Sequence, residues 1–169
     1  MNNLIFVGGI HGVGKGTICD KICEKTDFVH ITASEILRWD EISELGNKKV
    51  ENIQDTQERL ISGLEKVLKK NGKYLLDGHF CLFNSDVEFE KIPMETFETI
   101  SPKLIVIVTN QIGLIKERLE KRDDKEYDFE LLKSMQASEK EYAQQISLKL
   151  KVPFVEIKDG NYQSLTEII

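Results

Sequence analysis

The sequence predicts an α/β fold, a three-layer domain in which helices cover both faces of a five-stranded, mainly parallel sheet. Three observations predict it. Short apolar runs alternate with longer amphipathic stretches from one end of the chain to the other. The run Leu104–Val108 is apolar at every position, as a strand covered on both faces must be. A glycine-rich turn separates the first apolar run from the first amphipathic stretch. At 169 residues, 40% hydrophobic and 31% charged, the chain reads as one globular domain, 1–169, whose core needs no disulfide or metal staple.

In order along the chain, Leu4–Val7 is a short apolar run ending at Gly8-Gly9 and fits a buried strand. From Lys15, apolar residues at Ile18, Cys19, Ile22 and Cys23 form one stripe of a helix. Val29–Thr32 reads as a second strand, with a helix from about Ser34. A helix over about 52–70 follows from Ile53, Gln57, Leu60, Ile61, Leu64, Val67 and Leu68, and Asn71-Gly72 ends it. Tyr74–Asp77 is the third strand and Lys103–Thr109 the fourth. Helices near 112–122 and 128–149 come next, the second striped by Phe129, Leu132, Met135, Tyr142, Ile146 and Leu150. Phe154–Ile157 is the fifth strand, and a closing helix follows Asn161. The stretch 84–98 holds five acids and one Lys, and reads as a solvated loop and short helix. It is also where a protein partner would find a surface.

Charge narrows the function. Lys and Arg total 23 against 29 Asp and Glu, a net charge of −6, so no nucleic-acid partner is expected. A local pocket for a small phosphate compound stays open. The longest apolar run is far short of the ~20 residues that span a bilayer, so no membrane association is expected. Three cysteines make no disulfide framework, and the expected compartment is the cytoplasm. Cys19 and Cys23 fall on the helix stripe and read as core, not as a metal site. With 19 Lys but only four Arg (Arg38, Arg59, Arg118, Arg122), each Arg is informative.

The strongest chemical signal is Gly9-Ile10-His11-Gly12-Val13-Gly14-Lys15-Gly16-Thr17, lying between a strand and a helix. Glycines let the backbone fold tightly and turn successive N–H groups inward, which makes an anion nest. The start of the following helix adds its positive end. Lys15, expected to face the ligand rather than the core, bridges the outer phosphates of a triphosphate as a mobile charge.

The pattern Gly-x-x-Gly-x-Gly-Lys-Gly-Thr resembles the phosphate loop (P-loop, Walker A) of adenylate kinases and related nucleoside monophosphate kinases. The resemblance implies a P-loop kinase fold, ATP and Mg²⁺ as cofactors, and a nucleotide or other small phosphorylated compound as acceptor. It assigns ATP binding to Gly9, His11, Gly12, Val13, Gly14, Lys15, Gly16 and Thr17. His11 stands where those kinases often have Pro, and a solvent-facing filler is its alternative reading. The segment His30–Arg38 resembles their acceptor-binding stretch, which implies that Thr32, Ser34 and Arg38 bind the acceptor and that residues 33–72 form an acceptor-binding helical segment. Trp39 would stack on a base or pack the helix. Tyr74-Leu75-Leu76-Asp77-Gly78 resembles the Leu-Leu-Asp-Gly that ends their third strand. Asp77 is thereby placed at the substrate and at Mg²⁺, through waters, with Thr17 as a further metal ligand. Glu117–Arg122 resembles the start of their lid, which implies that Arg118 clamps ATP and that Arg118 and Arg122, with Lys15, act on the transferred phosphate.

Two departures stand out. The family continues after Asp-Gly with Phe-Pro-Arg, whereas this chain has His79-Phe80-Cys81, so a phosphate-gripping Arg is missing and AMP is expected to bind poorly. Beyond Arg122 there is no further Arg, and the lid, about 123–128, is short. The expected activity is transfer of the ATP γ-phosphate to such an acceptor. A regulatory ATP-binding protein or ATPase without an acceptor is the alternative.

Overall fold

A computed structural model of the chain describes residues 3–37, 53–83 and 89–169. The elements run β1 (Asn3–Gly8), α1 (Lys15–Cys23), β2 (Val29–Thr32), α2 (Ile53–Val67), β3 (Lys73–Asp77), β4 (Cys81–Phe83), β5 (Phe89–Lys91), α3 (Met94–Ile100), β6 (Leu104–Thr109), α4 (Ile112–Asp123), α5 (Phe129–Leu150), β7 (Phe154–Lys158) and α6 (Gln163–Thr166). Residues 33–37 are also helical.

Five strands form one parallel sheet in the order β2-β3-β1-β6-β7. Every residue of β6 is buried, as its unbroken apolar run requires. Side chains alternate across the sheet, so the two faces feed separate cores. Ile5, Val7 and Val106 join Ile18, Cys19 and Ile22 of α1 and Leu119 of α4 on one face. Leu4, Phe6, Leu76 and Ile107 join Leu64 of α2, Phe97 of α3 and Ile146 of α5 on the other. The three-layer reading holds, with all five strands where the hydrophobic runs put them.

The hairpin is new. Where a loop is expected after residue 84, Phe89–Lys91 instead pairs antiparallel with Cys81–Phe83. The Ile92 amide donates to Phe80 O at 2.9 Å, and Ile92 and Phe97 sink into the core. Each strand is three residues long, too short for a period-two pattern to appear. The short helix expected in this stretch is α3. Residues 124–128, where a lid is expected, are tied back to α4: Lys116 Nζ donates to Tyr127 O at 2.7 Å, and Tyr127 N to Glu120 at 3.0 Å. Asp128 caps α5 by accepting from Leu131 N. Among the described residues, no helix is long and apolar enough to cross a membrane.

Candidate functional site

The carboxyl edge of the sheet assembles the site. Register sets Thr32 of β2 beside Asp77 of β3, and Asp77 beside Val7 of β1, whose next residues open the glycine-rich loop. Ligands of open α/β sheets bind at this edge. The Gly78 amide, donating to Val7 O at 3.0 Å, keeps the two strand ends together.

Loop residues 9–14 turn through conformations that side chains resist, with φ of 146° at Gly9, 77° at Gly12 and 103° at Gly14. Val13 is 1% exposed and packs into the core, so it offers a ligand only its backbone. Helix α1 begins at Lys15 with no side-chain cap, leaving its first amides directed at the loop. Gly16 and Thr17 belong to that first turn, and Thr17 is exposed.

Lys15 is buried, 8% exposed, contrary to the expectation of a side chain open to ligand. Its ammonium folds back over the loop, donating to Gly9 O at 2.8 Å and Ile10 O at 3.4 Å, with Asp77 Oδ1 at 3.8 Å. Burial lowers its pKa and Asp77 opposes that shift. The hydrogen bonds to two loop carbonyls are what an incoming phosphate would replace.

Asp77 has a second neighbour that the sequence reading passed over. His30 Nε2 lies 3.8 Å from Asp77 Oδ2, and His30 Nδ1 lies 2.7 Å from Asp20 Oδ1 of α1. Asp77 first, then Asp20, raise the His30 pKa. Gly16 faces both groups: a Cβ there would lie 3.8 Å from Asp77 Oδ2 and 4.0 Å from His30 Cε1.

A cavity of about 390 Å³ opens next to the loop. His11, Lys15, Thr32, Ser34, Asp77 and His79 line its polar side, and Phe6, Leu37, Leu60 and Phe97 its apolar side. Thr32 Oγ1 accepts from Glu35 N at 3.1 Å, capping helical residues 33–37, and lies 3.2 Å from Ser34 Oγ. Arg38 and Trp39 lie outside the described residues. The His11 and His79 rings meet tilted at 46°, with centroids 4.2 Å apart. Burial of the His11 ring, followed by the nearby His79, Lys15 and Arg122 side chains, pushes its pKa down to about 4, although part of the residue stays open to solvent.

Behind the cavity, Glu139 of α5 is 1% exposed. It accepts from Phe80 N at 3.1 Å and Cys81 N at 3.1 Å, and its Oε1 lies 3.7 Å from His79 Nδ1. It fixes the turn that follows Asp77-Gly78. A signal for it exists in the sequence: Glu139 falls in register with Leu132, Met135, Tyr142 and Ile146, a charge on an apolar stripe.

Of the two lid arginines, the fold brings one to the loop. Arg118 Nη1 donates to Gly12 O and Val13 O, both at 3.3 Å. Arg122, 57% exposed, turns to Asp123 instead, with Nε at 2.6 Å and Nη2 at 2.7 Å from its carboxylate. Arg122 and Tyr127 hold the Asp123 carboxyl well below the usual range. Among the described residues no group of three His, Cys, Asp or Glu side chains converges as a metal site. Mg²⁺ carried by a nucleotide needs only one or two protein oxygens, and the strand-end Asp77 carboxylate beside the loop is an oxygen of the kind that could serve. Burial pushes the Cys81 thiol up to about 12.

A parallel sheet, a glycine loop leading into a helix, and a buried Lys beside a strand-end Asp define a P-loop nucleotide-binding domain. The chain belongs to the AAA domain family, whose model matches residues 8–136. Among curated proteins it is similar to the uridylate kinase of Schizosaccharomyces pombe, 43% identical over 91 residues, 46% of this chain and 48% of that one. It is similar also to adenylate kinase 1 of Schistosoma mansoni, 31% identical over 100 residues, 52% and 50% of the two chains. The chain thus spans about half the length of the curated relatives it matches. Among solved structures, a sugar kinase from Janibacter shares the fold, with a TM-score of 0.58 at 14% identity over 99% of this chain and 92% of that one.

Proposed function

We propose that the protein transfers the γ-phosphate of ATP to a nucleoside monophosphate. The observation that carries this reading is a shared wall: Lys15 and Asp77 belong to the phosphate loop's surroundings and also line the adjoining 390 Å³ cavity. A donor held by the loop and an acceptor in the cavity would meet there. The names of the relatives, uridylate and adenylate kinases, point to the same acceptor class.

In this reading the acceptor's phosphate oxygen attacks the γ-phosphorus while the bond to the β–γ bridging oxygen breaks, leaving ADP. The attacking oxygen is already anionic, so no side chain need take a proton. Lys15 exchanges its loop carbonyls for the outer phosphates. Arg118 stays over the loop, and Arg122 leaves Asp123 for the charge on the transferring group. Asp77 and Thr17 would hold Mg²⁺ carried by ATP, which would supply neutralisation of phosphate charge. Thr32, Ser34 and Arg38 hold the acceptor within the segment 33–72, and residues 123–128 serve as a short lid on one domain. The turn after Asp77-Gly78 offers His79 in place of a guanidinium, so AMP is a poor acceptor. A coupled assay of ADP release across AMP, CMP, UMP, GMP and dTMP tests this. Acceptor-stimulated release, weakest with AMP and lost in Arg38→Ala, is expected; efficient AMP turnover contradicts the altered acceptor site.

A further inference from the structure

We infer that Gln57 of α2 is a specificity-determining residue that reads the hydrogen-bonding edge of the acceptor's base. This rests on the nucleoside monophosphate reading above and names the part of the acceptor that the cavity takes beside Gln57.

Gln57 is 5% exposed, yet its Oε1 makes no hydrogen bond. Buried amide oxygens almost always find a donor, so one left unpaired is an open position waiting for a partner. The residue lines the cavity, which Lys15 and Asp77 also line and whose remaining lining is largely apolar. Leu37, Leu82 and Ile100, each half-buried, line the same cavity and supply apolar surface open to a ligand. A planar ring with a hydrogen-bond donor on its edge suits that combination: the aliphatic lining takes the face and the carboxamide takes the edge. A nucleobase has this chemistry, and a sugar ring has not. The terminal torsion of Gln is soft, so its oxygen and nitrogen can swing to meet a donor and a neighbouring acceptor on the base. Helix periodicity alone would fill this position with an apolar residue, since Leu60, Ile61 and Leu64 continue the same stripe.

The test uses Gln57→Met and Gln57→Leu in the full chain. Calorimetry with a non-hydrolysable ATP analogue present measures affinity for CMP, UMP, GMP, AMP and, as a base-less control, ribose 5-phosphate. Expected is a loss of about ten- to hundred-fold for the nucleotides the wild type binds, as for a lost hydrogen bond to a buried group. Affinity for ribose 5-phosphate and the ATP analogue stays unchanged. Both variants also melt at or above the wild-type temperature, because an unpaired buried oxygen has gone. Unchanged nucleotide affinity, equal losses for nucleotide and ribose 5-phosphate, or a lower melting temperature would each overturn the role of Gln57. A wild-type protein that binds ribose 5-phosphate as tightly as every nucleotide refutes the nucleoside monophosphate reading itself, a separate result.

Discussion

Lys15→Ala isolates the loop's charge. In the free protein its ammonium donates to Gly9 O at 2.8 Å and Ile10 O at 3.4 Å and balances Asp77 at 3.8 Å. Truncation deletes two internal hydrogen bonds of about 1 kcal/mol each, and it also relieves the burial of a charge in an 8% exposed side chain. These effects oppose each other, so the fold should stay within about 2 kcal/mol of wild type, a melting shift of no more than roughly 8 °C. A charge-assisted contact to the outer phosphates contributes about 1.5–3 kcal/mol, so affinity for a non-hydrolysable ATP analogue should fall roughly ten- to hundred-fold. Turnover should fall further, because charge moves onto the bridging oxygen only during transfer. Calorimetry, circular dichroism and an ADP-release assay read the three quantities. A folded variant with wild-type ATP affinity and turnover refutes the phosphate-loop assignment.

Other perturbations separate site from scaffold. Arg118→Lys and Arg122→Lys should each lower kcat well beyond any change in KM, since forked contacts to a transferring phosphate act in the transition state; full kcat in both makes the pair a helix face only. Glu139→Leu strands the Phe80 and Cys81 amides and should cost about 2–5 kcal/mol in denaturant melts, whereas Glu139→Gln, which still accepts, should cost much less. Stability against pH should be domed. His30 has a raised pKa, so its contribution is full below the ordinary histidine value of about 6.5 and is lost as pH rises through the folded value. His11, lowered to about 4, works in the opposite sense: the unfolded chain takes a proton the folded one refuses, so stability drops as pH falls from about 6.5 towards 4. Melting temperatures across pH should therefore lose their alkaline slope in His30→Gln and their acid slope in His11→Asn; unaltered slopes reject these assignments.

Much of this was legible in residue order because the physics is local. An apolar run such as Leu104–Val108 has one comfortable environment, and a glycine pattern between strand and helix has few uses. What escaped was non-local. The β4–β5 hairpin depends on Ile92 and Phe97 finding the core, not on any pattern within three-residue strands. Glu139 and His30 matter through partners 58 or 59 and 47 positions away in sequence. Lys15 is expected in the open and is buried instead, because its burial depends on how the loop closes over it. Arg122's turn to Asp123 follows from two adjacent side chains competing with any phosphate, which helix spacing does not reveal. Gln57 was visible as a polar residue in an apolar stripe, and only the cavity gives that position a use.

The fate of labelled phosphate tests the central claim most directly. The protein is incubated with Mg²⁺, ATP labelled at the γ-position and each nucleoside monophosphate in turn, and the products are separated. The account predicts label in a nucleoside diphosphate, dependent on the acceptor added and abolished by Lys15→Ala. Label released only as inorganic phosphate, at a rate indifferent to every acceptor, would contradict it.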